Sequence, residues 1–156
     1  MNVELTLRRG GPADRAFVLE LGARTAINSV SALRLSSPAL VEDSYERLVD
    51  FAFDGSYVLF IAESGLDGPL GFALMLDTLP DEVTGMPQGF VAYMAVDPSV
   101  RRRGIARALL GAAESEARER GLPHMALMVT EGNGPARELY AQAGYFTERR
   151  LLCKPL

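Results

Sequence analysis

Several residue types are nearly missing from this chain of 156 residues: it has one cysteine, one histidine and no tryptophan. Cys153, standing alone, excludes an internal disulfide and fits a reducing compartment, so the expected location is the cytoplasm. One cysteine and one histidine do not make a usual zinc site, so no metal is expected. His124 follows Pro123 at the start of an apolar stretch and reads as a structural residue. Lysine is almost absent as well, Lys154 being the only one. Sixteen basic residues face 20 acidic ones, for a formal charge of −4, which argues against a nucleic-acid partner. No apolar run approaches the ~20 residues of a membrane span, so no membrane association is expected. Residues 1–10 carry no signal-peptide core.

Positive charge, scarce in type, is concentrated in place. Arg101, Arg102 and Arg103 are consecutive, and Arg107 follows one helical turn later. In an acidic chain such a cluster points to an anionic small ligand. Its setting supports this. An apolar run, Phe90 to Val96, stops at Asp97-Pro98, and a helical pattern starts near Gly104. The segment reads as a strand, a tight basic loop and a helix N-terminus. The first helical turn has free N–H groups and a partial positive charge, so a phosphorylated ligand is expected there. The loop lacks the Lys-Ser or Lys-Thr of a Walker loop, and Gly104 stands alone until Gly111, which excludes a dinucleotide fingerprint.

Periodicity supplies the rest. Val3, Leu5 and Leu7 alternate with polar residues as in a half-buried strand. Gly10-Gly11-Pro12 ends it, and Phe17, Val18 and Leu21 mark a first helix. Residues 25–40, rich in Ser, Thr and Asn, predict a loop or broken helix. Tyr45, Leu48, Val49 and Ala52 mark a second helix, with Asp43 or Ser44 as its cap. Strands are expected at Tyr57–Ala62, Gly71–Leu76, Phe90–Val96 and His124–Val129. A helix is expected from Ile105 to Arg120, a short one from Gly134 to Ala143, and a last strand or bent pair of strands from Tyr145 to Lys154. The order predicts one α/β domain (α+β by some schemes) over residues 1–156. Its sheet is mixed, with helices on both faces.

Arg101-Arg102-Arg103-Gly104-Ile105-Ala106, preceded by Val96-Asp97-Pro98, resembles the Gln/Arg-x-x-Gly-x-Gly/Ala signature of the GNAT superfamily of acyl-CoA-dependent N-acyltransferases. A second segment is similar to the same family: Asn133-x-x-Ala136-x-x-Leu139-Tyr140-x-x-x-Gly144-Tyr145, with Tyr145 in place of the commoner Phe. The resemblance covers almost the whole chain. It implies a mostly antiparallel sheet of about six to seven strands with about four helices. It also implies acetyl-CoA as co-substrate and direct attack by a primary amine of a small molecule or peptide. Dimers are common in the family, and a homodimer is compatible with the sequence.

The resemblance further implies a set of roles. Backbone N–H groups from Arg101, Arg102, Arg103, Gly104, Ile105, Ala106 and Arg107 would cradle the pyrophosphate. Met94, Ala95 and Val96 would run beside the pantetheine arm, with the Met94 N–H as oxyanion donor. Asn133 would bond the arm, and Tyr140 would protonate the departing sulfur. Without the resemblance, the arginine loop reads as a solvated basic turn, Met94 to Val96 as central-strand core, Tyr140 as a packed aromatic and Asn133 as a loop or capping residue. No acidic residue lies in Phe90–Val96 or His124–Val129, and Met128 stands where protein N-terminal acetyltransferases of the family often have Glu. Glu131, Asp77, Glu63 and Tyr93 are left as weak candidates for a base. A non-catalytic acyl-CoA sensor, or a binder of another phosphorylated ligand, would use the same loop. The acceptor is expected between residues 25–38 and the loop Pro80–Gln88; Arg34, Asp81 and Glu82 lie there, and solvated loop charges are the simpler reading of each.

Overall fold

The structure is a computed structural model and describes residues 4–156. Strand β1 (Leu5–Arg9) forms where expected, but Leu5 and Leu7 are exposed rather than half-buried, and Val3 lies outside the described residues. A 3-10 turn, Pro12–Asp14, leads into α1 (Arg15–Ala26). Asp14 secures that entry, accepting from the Gly11 N–H at 3.0 Å and from Arg8 at 2.8 and 3.0 Å. Helix α2 (Pro38–Asp54) begins before the expected cap at Asp43 or Ser44. The Ser37 hydroxyl accepts from the Leu40 N–H at 3.2 Å and Pro38 takes the first helical position. Ser-Pro is therefore a helix start here rather than the end of a loop.

Strands β2 (Val58–Ser64), β3 (Gly68–Leu76) and β4 (Gly89–Val96) follow, then α3 (Ile105–Glu119), β5 (Met125–Leu127) and α4 (Gly134–Gln142). The sheet order is β1-β2-β3-β4-β5, antiparallel except for the parallel pair β4 and β5. Alternate residues sort onto two faces. Leu59, Ile61, Phe72 and Leu74 pack under α1 and α2 with Val18, Leu21, Tyr45 and Val49. On the other face, Ala62 and Ala73 meet Ile105 and Leu109, while Val58 and Met75 meet Ala113 and Ala117 of α3. Fully burying each larger apolar side chain contributes about 1.5–3 kcal/mol. One close approach needs glycine: a Cβ on Gly22 would lie 1.8 Å from the Tyr45 oxygen, which donates to the Val18 carbonyl at 2.6 Å.

The mixed sheet and four α-helices agree with expectation; the strand count does not. Among the described residues the sheet has five strands, not six or seven. Residues 145–154, expected as a final strand or bent pair of strands, form none: beyond Tyr145 they bond no other backbone group among the described residues, and the outer edge of β5 stays unpaired. Strand β5 is also shorter than expected, ending at Leu127.

Candidate active site

The loop after β4 is held open by its own backbone. Asp97 accepts from the Ser99 N–H at 2.9 Å and the Ser99 hydroxyl at 2.7 Å, which starts a 3-10 turn, Pro98–Val100. These bonds, with a weaker one from Arg24 at 3.3 Å, hold the Asp97 carboxyl below its ordinary range. Two residues beyond the turn are left-handed: Arg102 at φ 64° and Gly104 at φ 76°. For a residue other than glycine this conformation costs roughly 1–3 kcal/mol and collects at functional sites. A Cβ on Gly104 would meet no atom within 4 Å, so the space in front of it is open. The first bond of α3 runs from Ala108 N–H to the Gly104 carbonyl at 3.0 Å. Among the described residues, the N–H groups from Arg101 to Arg107 have no protein acceptor. The result is a nest of donors at a helix N-terminus, with the dipole behind it.

Arg101, Arg102 and Arg103 are exposed and form no ion pair among the described residues. Arg107 differs, since its guanidinium donates to the Gln142 Oε1 at 3.0 Å. That bond ties the first turn of α3 to the end of α4. Ile105 is buried against Met94 and Val96, so the helix start is seated on β4, while Ala106 stays partly open.

Beside this nest, the sheet splits. Strand β5 pairs with β4 only from Gly89↔Met125 to Val91↔Leu127. The pairing with β3 steps from Leu74↔Tyr93 to Met75↔Val91, leaving Ala92 as a bulge. A bulge bends its strand and ends pairing, so β4 diverges from β5 after Val91. The Asp97 N–H bonds to the Leu70 carbonyl of β3 at 2.7 Å. Backbone groups alternate in direction along a strand, so Ala95 also faces β3, while Met94 and Val96 turn their N–H and C=O groups into the split. The cleft is thus lined by free backbone on its β4 side, as a sheet edge is.

Tyr140 sits on α4, partly buried, with its ring edge-on to Tyr145 at 6.0 Å. Its hydroxyl has no hydrogen-bond partner among the described residues. Burial, and then the nearby Tyr93 phenol, raise its pKa above the usual 10.0. Tyr140 therefore keeps its proton in neutral and mildly alkaline solution. Asn133 caps α4, its Oδ1 accepting from the Ala136 N–H at 3.4 Å, which leaves the amide NH2 free to donate.

A group of hydroxyls escaped the sequence reading. Tyr93, placed there among the weak base candidates, bonds Thr25 at 3.0 Å. Burial raises the Tyr93 pKa, and the Thr25 and Ser29 hydroxyls offset part of that rise. The Thr130 hydroxyl donates to the Ser29 carbonyl at 2.5 Å, joining the chain after β5 to the turn after α1 across the sheet. The Ser/Thr content of residues 25–40 was the only signal of this group. The acidic candidates lie elsewhere: Glu63 is paired with Arg8 at 2.9 Å, Asp77 with Arg120 at 2.7 Å, and Glu131 is exposed beside Arg137. Asp81 is a structural group, accepting from the Thr84 N–H and hydroxyl at 2.8 and 2.6 Å and pairing with Arg149. Arg34 is exposed.

Known proteins share this fold. The family model of the Acetyltransferase (GNAT) family matches residues 27–145, which is most of the chain. The chain belongs to that family, whose members are acyltransferases by name. A mycothiol acetyltransferase of Beutenbergia cavernae is 34% identical over 105 residues, covering 67% of this chain and 33% of that protein. The chain thus spans about a third of the length of the curated relatives it matches. A Pyrococcus furiosus protein assigned as an acetyl transferase superposes with a TM-score of 0.84 at 26% identity, covering 98% of this chain and 100% of its own. The fold is also that of the aminoglycoside N-acetyltransferase AAC(6')-Iy, solved with a CoA bisubstrate analog. Its TM-score is 0.70 at 20% identity, with 98% of each chain covered. Among the described residues no helix is long and apolar enough to cross a membrane, and no cluster of three or more metal-ligating side chains occurs.

Proposed function

We propose that residues 1–156 act as one N-acyltransferase domain. It moves an acetyl group from acetyl-CoA to a primary amine by direct attack in a ternary complex. The observation that carries this reading is the split between β4 and β5, lined by the Met94 and Val96 backbone and ending at the donor nest of residues 101–107. The nest suits a pyrophosphate, with Arg101, Arg102 and Arg103 free to add charge-assisted bonds. Ala95 keeps β4 on β3, while Val96 pairs with an extended amide-bearing arm. The Met94 N–H then donates to the thioester oxygen as it gains negative charge. Asn133 offers its amide NH2 to the same arm, and Arg107 contributes through its backbone, its side chain being held by Gln142. Tyr140, protonated and without a protein partner, gives its proton to the departing sulfur. No carboxylate takes the amine proton; water carries it out past the hydroxyls of Thr25, Ser29 and Tyr93.

The acceptor is a small-molecule amine in this reading. The relatives named for mycothiol and aminoglycosides support that class over a peptide, and the hydroxyl-lined wall suits a polar substrate. A cytoplasmic setting accords with the single cysteine. A non-catalytic acyl-CoA sensor would have the same nest and split, but it has no use for a protonated phenol beside them. The experiment is a screen of amines with acetyl-CoA, reading thiol release, alongside thermal melts with CoA. At a hundredfold excess over the dissociation constant, CoA should stabilise the fold by about 2.7 kcal/mol. Gly104→Glu, which forces bulk and negative charge into the left-handed position, should abolish the shift. Equal shifts in both proteins would refute the placement, and CoA binding without thiol release from any amine would favour the sensor.

A further inference from the structure

Two short segments frame the mouth of the split: residues 27–35, which follow α1, and residues 128–130, which follow β5. Thr25 seats the first segment on β4 through the Tyr93 hydroxyl at 3.0 Å. The Thr130 hydroxyl ties the second segment to the Ser29 carbonyl at 2.5 Å. Two turns keep residues 27–34 compact beside Ser29. One is closed by the Val30 N–H on the Ile27 carbonyl at 3.2 Å, the other by the Arg34 N–H on the Ser31 carbonyl at 3.0 Å. Tyr93 directly precedes Met94, so this rim stands within a strand step of the proposed oxyanion donor.

The rim is apolar. Ile27, Leu33 and Leu35 are 49, 56 and 98% exposed on one segment, and Met128 and Val129 are 74 and 39% exposed on the other. Large apolar side chains gathered on two segments that a hydrogen bond joins are a patch rather than scattered surface residues, and such a patch beside a cleft marks a binding surface. Charge points the same way. No acidic residue occurs between Glu20 and Glu42 or from His124 to Thr130. The one charged side chain of residues 27–35 is that of Arg34, exposed and in no ion pair among the described residues. An ammonium group drawn out of water needs an anionic or strongly accepting partner. A polyamine, or an aminosugar with several ammonium groups, finds none on this rim. A single amine that reaches inward to the hydroxyls of Thr25 and Tyr93, and leaves an apolar body on the rim, matches both zones.

We propose that the acceptor is a primary monoamine on an apolar body, an alkyl or aryl group that lies against Ile27, Leu33, Leu35, Met128 and Val129. The proposal rests on the acetyl-transfer reading and narrows it. Selection is by apolar area covered, and the unbranched Met128 adapts to bodies of different shape.

Thiol release from acetyl-CoA with propyl-, butyl-, pentyl- and hexylamine tests this. The four share an ammonium pKa near ~10, so their reactive fractions match and only apolar length varies. The kcat/KM should rise roughly threefold per methylene, a little less than full burial of a CH2 gives. Hexamethylenediamine, which puts a second ammonium on the rim, should fall roughly tenfold or more below hexylamine. Leu33→Ser combined with Met128→Ser should flatten the series, costing hexylamine far more than propylamine. Both side chains are exposed, so the fold and the CoA melting shift should persist in that variant. A flat series in the wild type, a diamine as good as hexylamine, or an unchanged slope in the double variant would each overturn the inference. Thiol release with polar amines but with none of the alkylamines would overturn it too, and would leave the acetyl-transfer reading standing. CoA binding without thiol release from any amine would refute both.

Discussion

The two ends of the sheet are built differently. From β1 to α3, strands pair over five or more residues, and Leu59, Ile61, Phe72, Leu74 and Met75 of the inner strands are fully buried. From β5 onward, pairing covers three residues, α4 has no buried residue, and the tail is exposed. The candidate site lies on the seam. The well-packed part supplies the donor nest and the β4 backbone, groups that must not move as charge develops. The loosely packed part supplies Tyr140, on a helix that Gln142 and Arg107 tie down across the seam. In the proposed reaction, rigidity is thus placed where preorganisation matters, and looseness on the side that carries Tyr140.

The largest expected effect tests the contrast in stability directly. Phe72 is fully buried, edge-on to Phe17 at 6.2 Å and stacked with Tyr93 at 6.1 Å. Phe72→Ala should cost about 3–5 kcal/mol in denaturant unfolding. Leu139→Ala in half-buried α4 should cost well under half as much, and equal losses would erase the distinction between the two parts. Next is Tyr140→Phe, which should lower turnover by ~10²-fold, near the lower end for a general acid, with unchanged CoA affinity. Unchanged turnover with a saturating acceptor would return Tyr140 to a packing role.

The pH profile sharpens the same seam. With no carboxylate at the split, an alkylamine acceptor of pKa ~10 must shed its proton to water, so kcat/KM should rise about tenfold per unit from pH 7 toward 9. The raised pKa of Tyr140 keeps the acid protonated across that window. A plateau by pH 7 that Glu131→Gln, Asp77→Asn or Glu63→Gln removes would identify a base. The smallest effect lies in the packed part. Arg9 first, then Arg120, hold Glu116 down at about 2. A depressed carboxyl contributes stability that is present above its unfolded value and lost as pH falls through the folded one. Tm should therefore drop between about pH 4.5 and 2, and Glu116→Gln should flatten part of that drop.

What could be read in advance follows the range of the forces involved. Ile105, Leu109, Ala113 and Ala117 repeat at helical spacing because α3 buries one stripe, so that helix is legible residue by residue. The left-handed turn at Gly104 is legible too, since few residues but glycine adopt it freely. Arg102 in the same conformation is not, because nothing in arginine's chemistry prefers it. Ser37 as the cap of α2 was hidden by the proline beside it, which reads equally well as a loop. Residues 145–154 have the apolar content of a strand, and the sequence alone predicts one. A strand, however, needs a partner's backbone, and the composition of a segment does not say whether one is in reach.

The sequence by itself determined the order of elements as far as α4, the place of the basic loop, the absence of a carboxylate on β4 and the position of the phenol on α4. Each of these depends on neighbours within a few residues along the chain. Tertiary structure alone decided that β4 and β5 part after Val91, that Met94 and Val96 face the gap, and that Thr25, Ser29, Tyr93 and Thr130 meet across it. It also decided that the tail stands clear of its own sheet. Those outcomes turn on one bulge at Ala92 and on bonds spanning up to 101 residues of sequence, and no local pattern encodes such distances.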